Sequence, residues 1–163
     1  MKFSSYVIAA SMLVSPALLA KQQFLTLESN IQNIYPEEVF EVNVDYSVQP
    51  LVPVSGIGVR VFFDSSQVTV QNLGQIFQEG LIAKDVQADK SNLDNDEFTD
   101  SFVNISWASL NGTWPSFIDS SISLANIKFM ASENFTGTVL NINSSSHASG
   151  FQFIAEPLSI LAN

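Results

Sequence analysis

The stretch Phe40-Glu41-Val42-Asn43-Val44-Asp45-Tyr46 alternates apolar and polar side chains without a break. Successive side chains of an extended chain point to opposite faces, so Phe40, Val42, Val44 and Tyr46 face a core while Glu41, Asn43 and Asp45 face water. This is a strand buried on one side. Working outward from it, the same reading gives strands over residues 24–27, 57–63, 68–71, 102–109, 122–131, 138–143, 151–155 and 158–160. Turn chemistry separates them at Tyr35-Pro36, Ser55-Gly56, Asp64-Ser65-Ser66, Asn111-Gly112 and residues 134–137 and 144–150. Many short strands without intervening helical periodicity predict an all-β, antiparallel β-sandwich of about nine strands rather than a parallel α/β fold. Residues 76–82 fit either a strand with a glycine bulge or a short helical turn. The polar run 85–100 reads as one extended loop, and loops of that length in compact domains are usually functional or disordered.

The N-terminus reads differently. Lys2 precedes an apolar run that is too short to span a bilayer, is interrupted by Pro16 and ends at the small residue Ala20. Residues 1–20 have the pattern of a secretory signal peptide, and cleavage is expected before Lys21. The mature part, residues 21–163, has the length of one domain able to bury its own core. The expected location is secreted, extracellular or periplasmic, with no membrane insertion after cleavage. The chain has no Cys, so neither a disulfide nor a lipid anchor on cysteine supports the fold. A formal charge of −10 repels phosphate backbones and anionic lipids, which excludes nucleic acid as a natural partner.

Candidate chemistry is sparse. The oxygen ligands Asp89, Asn92, Asp94, Asp96 and Asp100 crowd one loop, and carboxylates and amides at alternate positions can converge on calcium. They open like an EF-hand, but Glu97 stands where its turn glycine belongs and Val103 where its closing carboxylate belongs. A solvated acidic loop closed by Asx turns is the alternative. Trp107 shares a strand face with Val103 and Ile105 and is expected in the core. Trp114 lies in the turn sequence Asn111-Gly112-Thr113-Trp114-Pro115, where it either plugs a loop or offers a flat face to a sugar ring, and it is the candidate ligand-binding residue. The one histidine, His147, sits among serines, no Gly-x-Ser-x-Gly elbow occurs and no histidine pair has metal-ligand spacing. An enzyme is not expected.

The order of motifs resembles the cohesin-like family. The resemblance is carried by residues 39–46, by the run Gly56-Ile57-Gly58-Val59-Arg60-Val61-Phe62-Phe63-Asp64-Ser65-Ser66-Gln67-Val68-Thr69-Val70, by residues 103–109, and by Leu124-Ala125-Asn126-Ile127-Lys128-Phe129 leading to Phe135-Thr136-Gly137-Thr138. It implies a sandwich of jelly-roll type, related in fold to bacterial cellulose-binding modules. It also implies a non-catalytic binding or scaffolding role, with a protein partner, a dockerin-like module or another envelope protein, held on one sheet face. The competing function is a carbohydrate-binding module for an extracellular polysaccharide, using Trp114.

Overall fold

A computed structural model describes residues 20–116 and 120–163. The expected leader falls almost wholly outside the described residues.

Every regular element among them is a strand: β1 (Gln22–Ser29), β2 (Asn33–Ile34), β3 (Val39–Gln49), β4 (Gly56–Phe63), β5 (Val68–Ile76), β6 (Leu81–Ala88), β7 (Ser101–Ala108), β8 (Ile122–Ala131), β9 (Thr138–Ser146), β10 (Gln152–Ala155) and β11 (Leu158–Ala162). They form a five-stranded sheet in the order β10-β1-β3-β8-β5 and a six-stranded sheet in the order β2-β11-β9-β4-β7-β6. All nine expected strands are present, and β2 and β6 are additional. The sheets are mixed rather than purely antiparallel, because β10 joins β1 and β11 joins β2 in parallel.

The core lies between the sheets, built from the alternation that marks the sequence. Phe40, Val42, Val44, Tyr46 and Val48 of β3 are at most 2% exposed, while the residues between them are only half-buried. They meet Ile57, Val59, Val61 and Phe63 of β4 and Val103, Ile105 and Trp107 of β7. Phe129 ties the layers together, stacked on Phe40 of its own sheet and edge-on to Phe63 of the other, with both centroid distances 5.6 Å. Aromatic contacts of this geometry stabilise beyond the area they bury.

The ambiguous stretch 76–82 is neither a bulged strand nor a helical turn. β5 ends at Ile76, the chain crosses from the first sheet to the second over residues 77–80, and β6 begins at Leu81. The expected extended loop is therefore shorter at its start, since β6 runs to Ala88 before the chain turns. Strand β6 escapes a pattern reading because it is an edge strand, mostly exposed on both faces, and shows no alternation.

Candidate interaction face

Alternation on β4 and β7 gives the second sheet an outward face of unusual composition. Gly58, Arg60 and Phe62 of β4 point away from the core, as do Phe102, Asn104 and Ser106 of β7, each opposite its cross-strand partner. Phe62 and Phe102 pack at 5.3 Å, and the Arg60 guanidinium lies 5.5 Å over the Phe102 ring. Both phenylalanines are buried although they face outward. Burial on that side requires a cover, part of which is the Arg60 guanidinium over Phe102.

That loop is tied to the face through β9. Asn141, the cross-strand partner of Phe62, donates its two amide protons to Asp94 Oδ2 and Asp96 Oδ2, each at 2.9 Å. Asn143 donates to the Leu93 carbonyl at 3.2 Å. Asn104 joins the strands at the other side, donating to Asp85 Oδ1 at 3.0 Å and accepting from Ser145 Oγ at 3.3 Å. The result is a sheet face with a cation and two aromatics at its middle, amides around them and carboxylates toward the margins. Arg60 Nε and Asn143 Oδ1, on cross-strand neighbours, are buried without a hydrogen-bond partner.

The five residues expected to hold calcium divide four ways. Asp89 closes its own turn, accepting from Ser91 N and from Leu93 N at 2.7 Å. Asp100 faces the other side and accepts from Ser65 N and Ser65 Oγ. Burial opposes ionisation of Asp100, but the Ser65 and Ser101 hydrogen bonds outweigh it and hold the carboxyl below its ordinary value. Only Asp94 and Asp96 come together, on Asn141 and with Thr99, whose hydroxyl donates to Asp94 Oδ2 at 2.6 Å. Asn92 adopts a left-handed backbone, φ 50°, in the turn closed by Asn95 N to its carbonyl. Among the described residues no three acidic or histidine side chains are grouped to hold a metal ion. In this arrangement the carboxylates of the loop accept from Asx turns, from Ser65 and from the tie to β9.

Trp114 is also not where a sugar could stack on it. It is 0% exposed, drawn inward by an isolated bridge in which Val54 N donates to its carbonyl at 2.7 Å and Trp114 N donates to the Val54 carbonyl at 3.0 Å. The turn residues before it signal a loop, as the sequence says, but the loop is plugged by the ring rather than presenting it. Trp107 is in the core as expected, 2% exposed. His147 is exposed, within 3.3 Å of Ser144 Oγ and beside the Phe153 ring. Sequence reasoning missed Arg60 and Asn141. Each breaks the apolar run of a strand with a polar side chain on the outward phase, which was the available signal.

No family model matches the sequence, and no curated protein matches it. Solved structures do match over most of the chain. A cohesin of Clostridium acetobutylicum, CaCohA2, seen in complex with a dockerin, is 18% identical, covers 87% of this chain and 100% of its own, and gives a TM-score of 0.57. The OlpA cohesin of Clostridium thermocellum, in a type I complex with a dockerin, is 13% identical over 87% of this chain and 99% of its own, with a TM-score of 0.58. A type II cohesin from the cellulosome of Acetivibrio cellulolyticus is 9% identical over 85% and 95%, with a TM-score of 0.52. At these identities the likeness is one of architecture, and the chain has the cohesin-like fold.

Proposed function

We propose that the protein is a secreted, non-enzymatic binding module of cohesin type that holds a protein partner, a dockerin-like module or another envelope protein, on the outer face of its second sheet. The observation that carries this reading is the composition of that face in a fold whose solved neighbours include cohesins complexed with dockerins. Arginine and aromatic residues concentrate binding energy at the centres of interfaces, with charged groups at their rims. Arg60 sits in the middle here, backed by the buried rings of Phe62 and Phe102, and Asp85, Asp94 and Asp96 lie around it. Among the described residues, the contacts of His147 are Ser144 and Phe153, neither of them an acidic group that would orient it as a base. The burial of Trp114 removes the residue on which the polysaccharide alternative stood.

Biolayer interferometry of residues 21–163 against type I and type II dockerins, beside a pull-down from the secreted fraction of the producing organism, tests the reading. A saturable partner is expected, with Arg60→Ala weakening it about tenfold or more, as for a central arginine. Melting curves confirm that the variant remains folded. A partner indifferent to Arg60→Ala, or the absence of any partner in both assays, overturns the assignment. Mass spectrometry of the exported protein should give an N-terminus at Lys21, and retention of residues 1–20 would remove secretion from the proposal.

A further inference from the structure

We propose that the outer face of the first sheet, on the opposite side of the sandwich from the partner face, carries a binding groove for a neutral oligosaccharide. The groove encloses about 930 Å³ above β3, β8 and β5. Its floor consists of two rows that cross the three strands. Glu41, Lys128 and Asn72 are successive cross-strand partners in one row; Asn43 and Asn126 are partners in the next. The second row should continue onto β5, but the pairing slips there. Leu73 pairs with Ile127 and Ile76 with Ala125, so Gly74 and Gln75 together stand opposite Asn126. A slip of this kind bends the strand away from its neighbour and opens the sheet surface.

Gly74 keeps the opening clear. A Cβ at that position would lie 3.0 Å from Asn126 Oδ1, tighter than an ordinary contact. The Asn126 amide is itself oriented, because its nitrogen donates to Asn43 Oδ1 at 2.8 Å and to Glu41 Oε2 at 3.2 Å. Both amide protons are used, and the carbonyl oxygen lies beside Gly74 as an acceptor without a donor among the described residues. Phe77, half-buried, adds an apolar wall at one end.

The chemistry of these groups selects the ligand. Lys128 and Glu41 form an ion pair at 2.9 Å, the only one among the described residues, so the groove's cation and anion cancel. The Lys128 ammonium and the Asn126 amide hold the Glu41 carboxyl below its ordinary value, which keeps the pair ionised. What remains is a set of amides: Asn72 and Gln75 with donors and an acceptor, Asn43 with its amide nitrogen, and Asn126 with its carbonyl oxygen. Sugar hydroxyls are likewise donors and acceptors at once, and an uncharged amide-lined groove suits them better than it suits a phosphate or a carboxylate. An extended peptide added to the β5 edge is less favoured, since the two pairing irregularities of that strand interrupt the regular ladder that strand addition needs.

Isothermal titration of residues 21–163 with cellohexaose, xylohexaose and mannohexaose, with an oligogalacturonate as the charged control, tests the proposal. Binding of at least one neutral hexasaccharide is expected. Gln75→Ala, at an exposed position, and Gly74→Val, which fills the floor, should each weaken it about tenfold, the loss of one or two uncharged hydrogen bonds. Glu133→Ala, in a distant turn, should not change it. No heat with any neutral saccharide overturns the proposal, as does equal affinity of the Gln75→Ala and Gly74→Val variants with the parent, or a preference for the oligogalacturonate. Such a failure leaves partner recognition on the second sheet standing, because that reading is measured with protein ligands on the other face.

Discussion

Trp107 and Trp114 stack with ring centroids 6.2 Å apart and planes 27° apart, and their indole nitrogens pin the same short crossing between the sheets. Trp107 Nε1 donates to the Phe77 carbonyl at 2.9 Å and Trp114 Nε1 to the Glu79 carbonyl at 3.1 Å. Phe77 in turn meets the Trp114 ring edge-on at 6.1 Å. Next to them Gly80 turns with φ 87°, where a Cβ would lie 2.7 Å from the Ala108 carbonyl oxygen. Residues 77–80 of the crossing are half-buried or exposed, and the two indoles satisfy carbonyls that no strand partner reaches.

Removal of either ring should therefore act on stability. Trp107→Ala and Trp114→Ala are each expected to cost about 3–5 kcal/mol, the range for emptying a large aromatic site. Trp114→Phe keeps most of the packing but leaves the Glu79 carbonyl unpaired, at about 1–3 kcal/mol. Because both rings hold one crossing, the Trp107→Phe and Trp114→Phe losses should not add in the double variant. Urea unfolding of the five variants measures this. A Trp114→Ala protein as stable as the parent would return the ring to the surface and reopen a role in ligand binding.

The strands that the sequence reveals are those with one wet and one dry face. On β3 every inward position is apolar and every residue between is polar, so periodicity alone places it. Strand β6 has no dry face to mark it, and the two residues of β2 are held by β11 rather than by any local preference. The parallel joins that close the sheets are likewise set by distant partners. The same difference separates the two tryptophans: Trp107 inherits its burial from a strand phase, whereas Trp114 is carried inward by a bridge to Val54, sixty positions earlier. In the acidic loop the composition was legible but its use was not. The donor that joins Asp94 to Asp96 is Asn141 of β9, which the local sequence does not show.

Gln23 joins three elements and predicts the alkaline behaviour of the fold. Its side chain is wholly buried, donating to the Tyr46 hydroxyl at 2.9 Å and accepting from Ala148 N at 2.8 Å. Gln23→Leu should cost about 1–3 kcal/mol, since it leaves a buried N–H and a buried phenol without partners. Burial pushes the Tyr46 phenol up from 10.0 to about 12, and the Gln23 hydrogen bond works in the opposite direction. A raised folded-state value means that the unfolded chain releases this proton first. The contribution of Tyr46 is thus complete below pH 10.0 and is lost as pH rises toward about 12. Tyr46→Phe should be less stable than the parent at neutral pH, with the gap narrowing across that window. Urea midpoints at stepped pH decide it, and a constant gap would contradict the buried phenol.

Asn141 does for Asp94 and Asp96 what the sequence suggested calcium would do. Two carboxylates within reach of one group repel one another unless something positive lies between them, and here the two amide protons are that group. Asn141→Ala should free the loop and cost about 1–3 kcal/mol, the value of hydrogen bonds to charged acceptors. Asn141→Asp should cost more in a chelator, since a third carboxylate joins the pair, and calcium should recover it. Binding to the folded state alone stabilises by about 2.7 kcal/mol at a hundredfold excess over Kd. Magnesium should recover less, because it demands a tight octahedron. The parent, with its amide in place, should melt at one temperature in calcium, in magnesium and in chelator. A calcium-dependent rise in the parent itself would instead place the ion at Asp94 and Asp96, with the amide turned over to offer its oxygen.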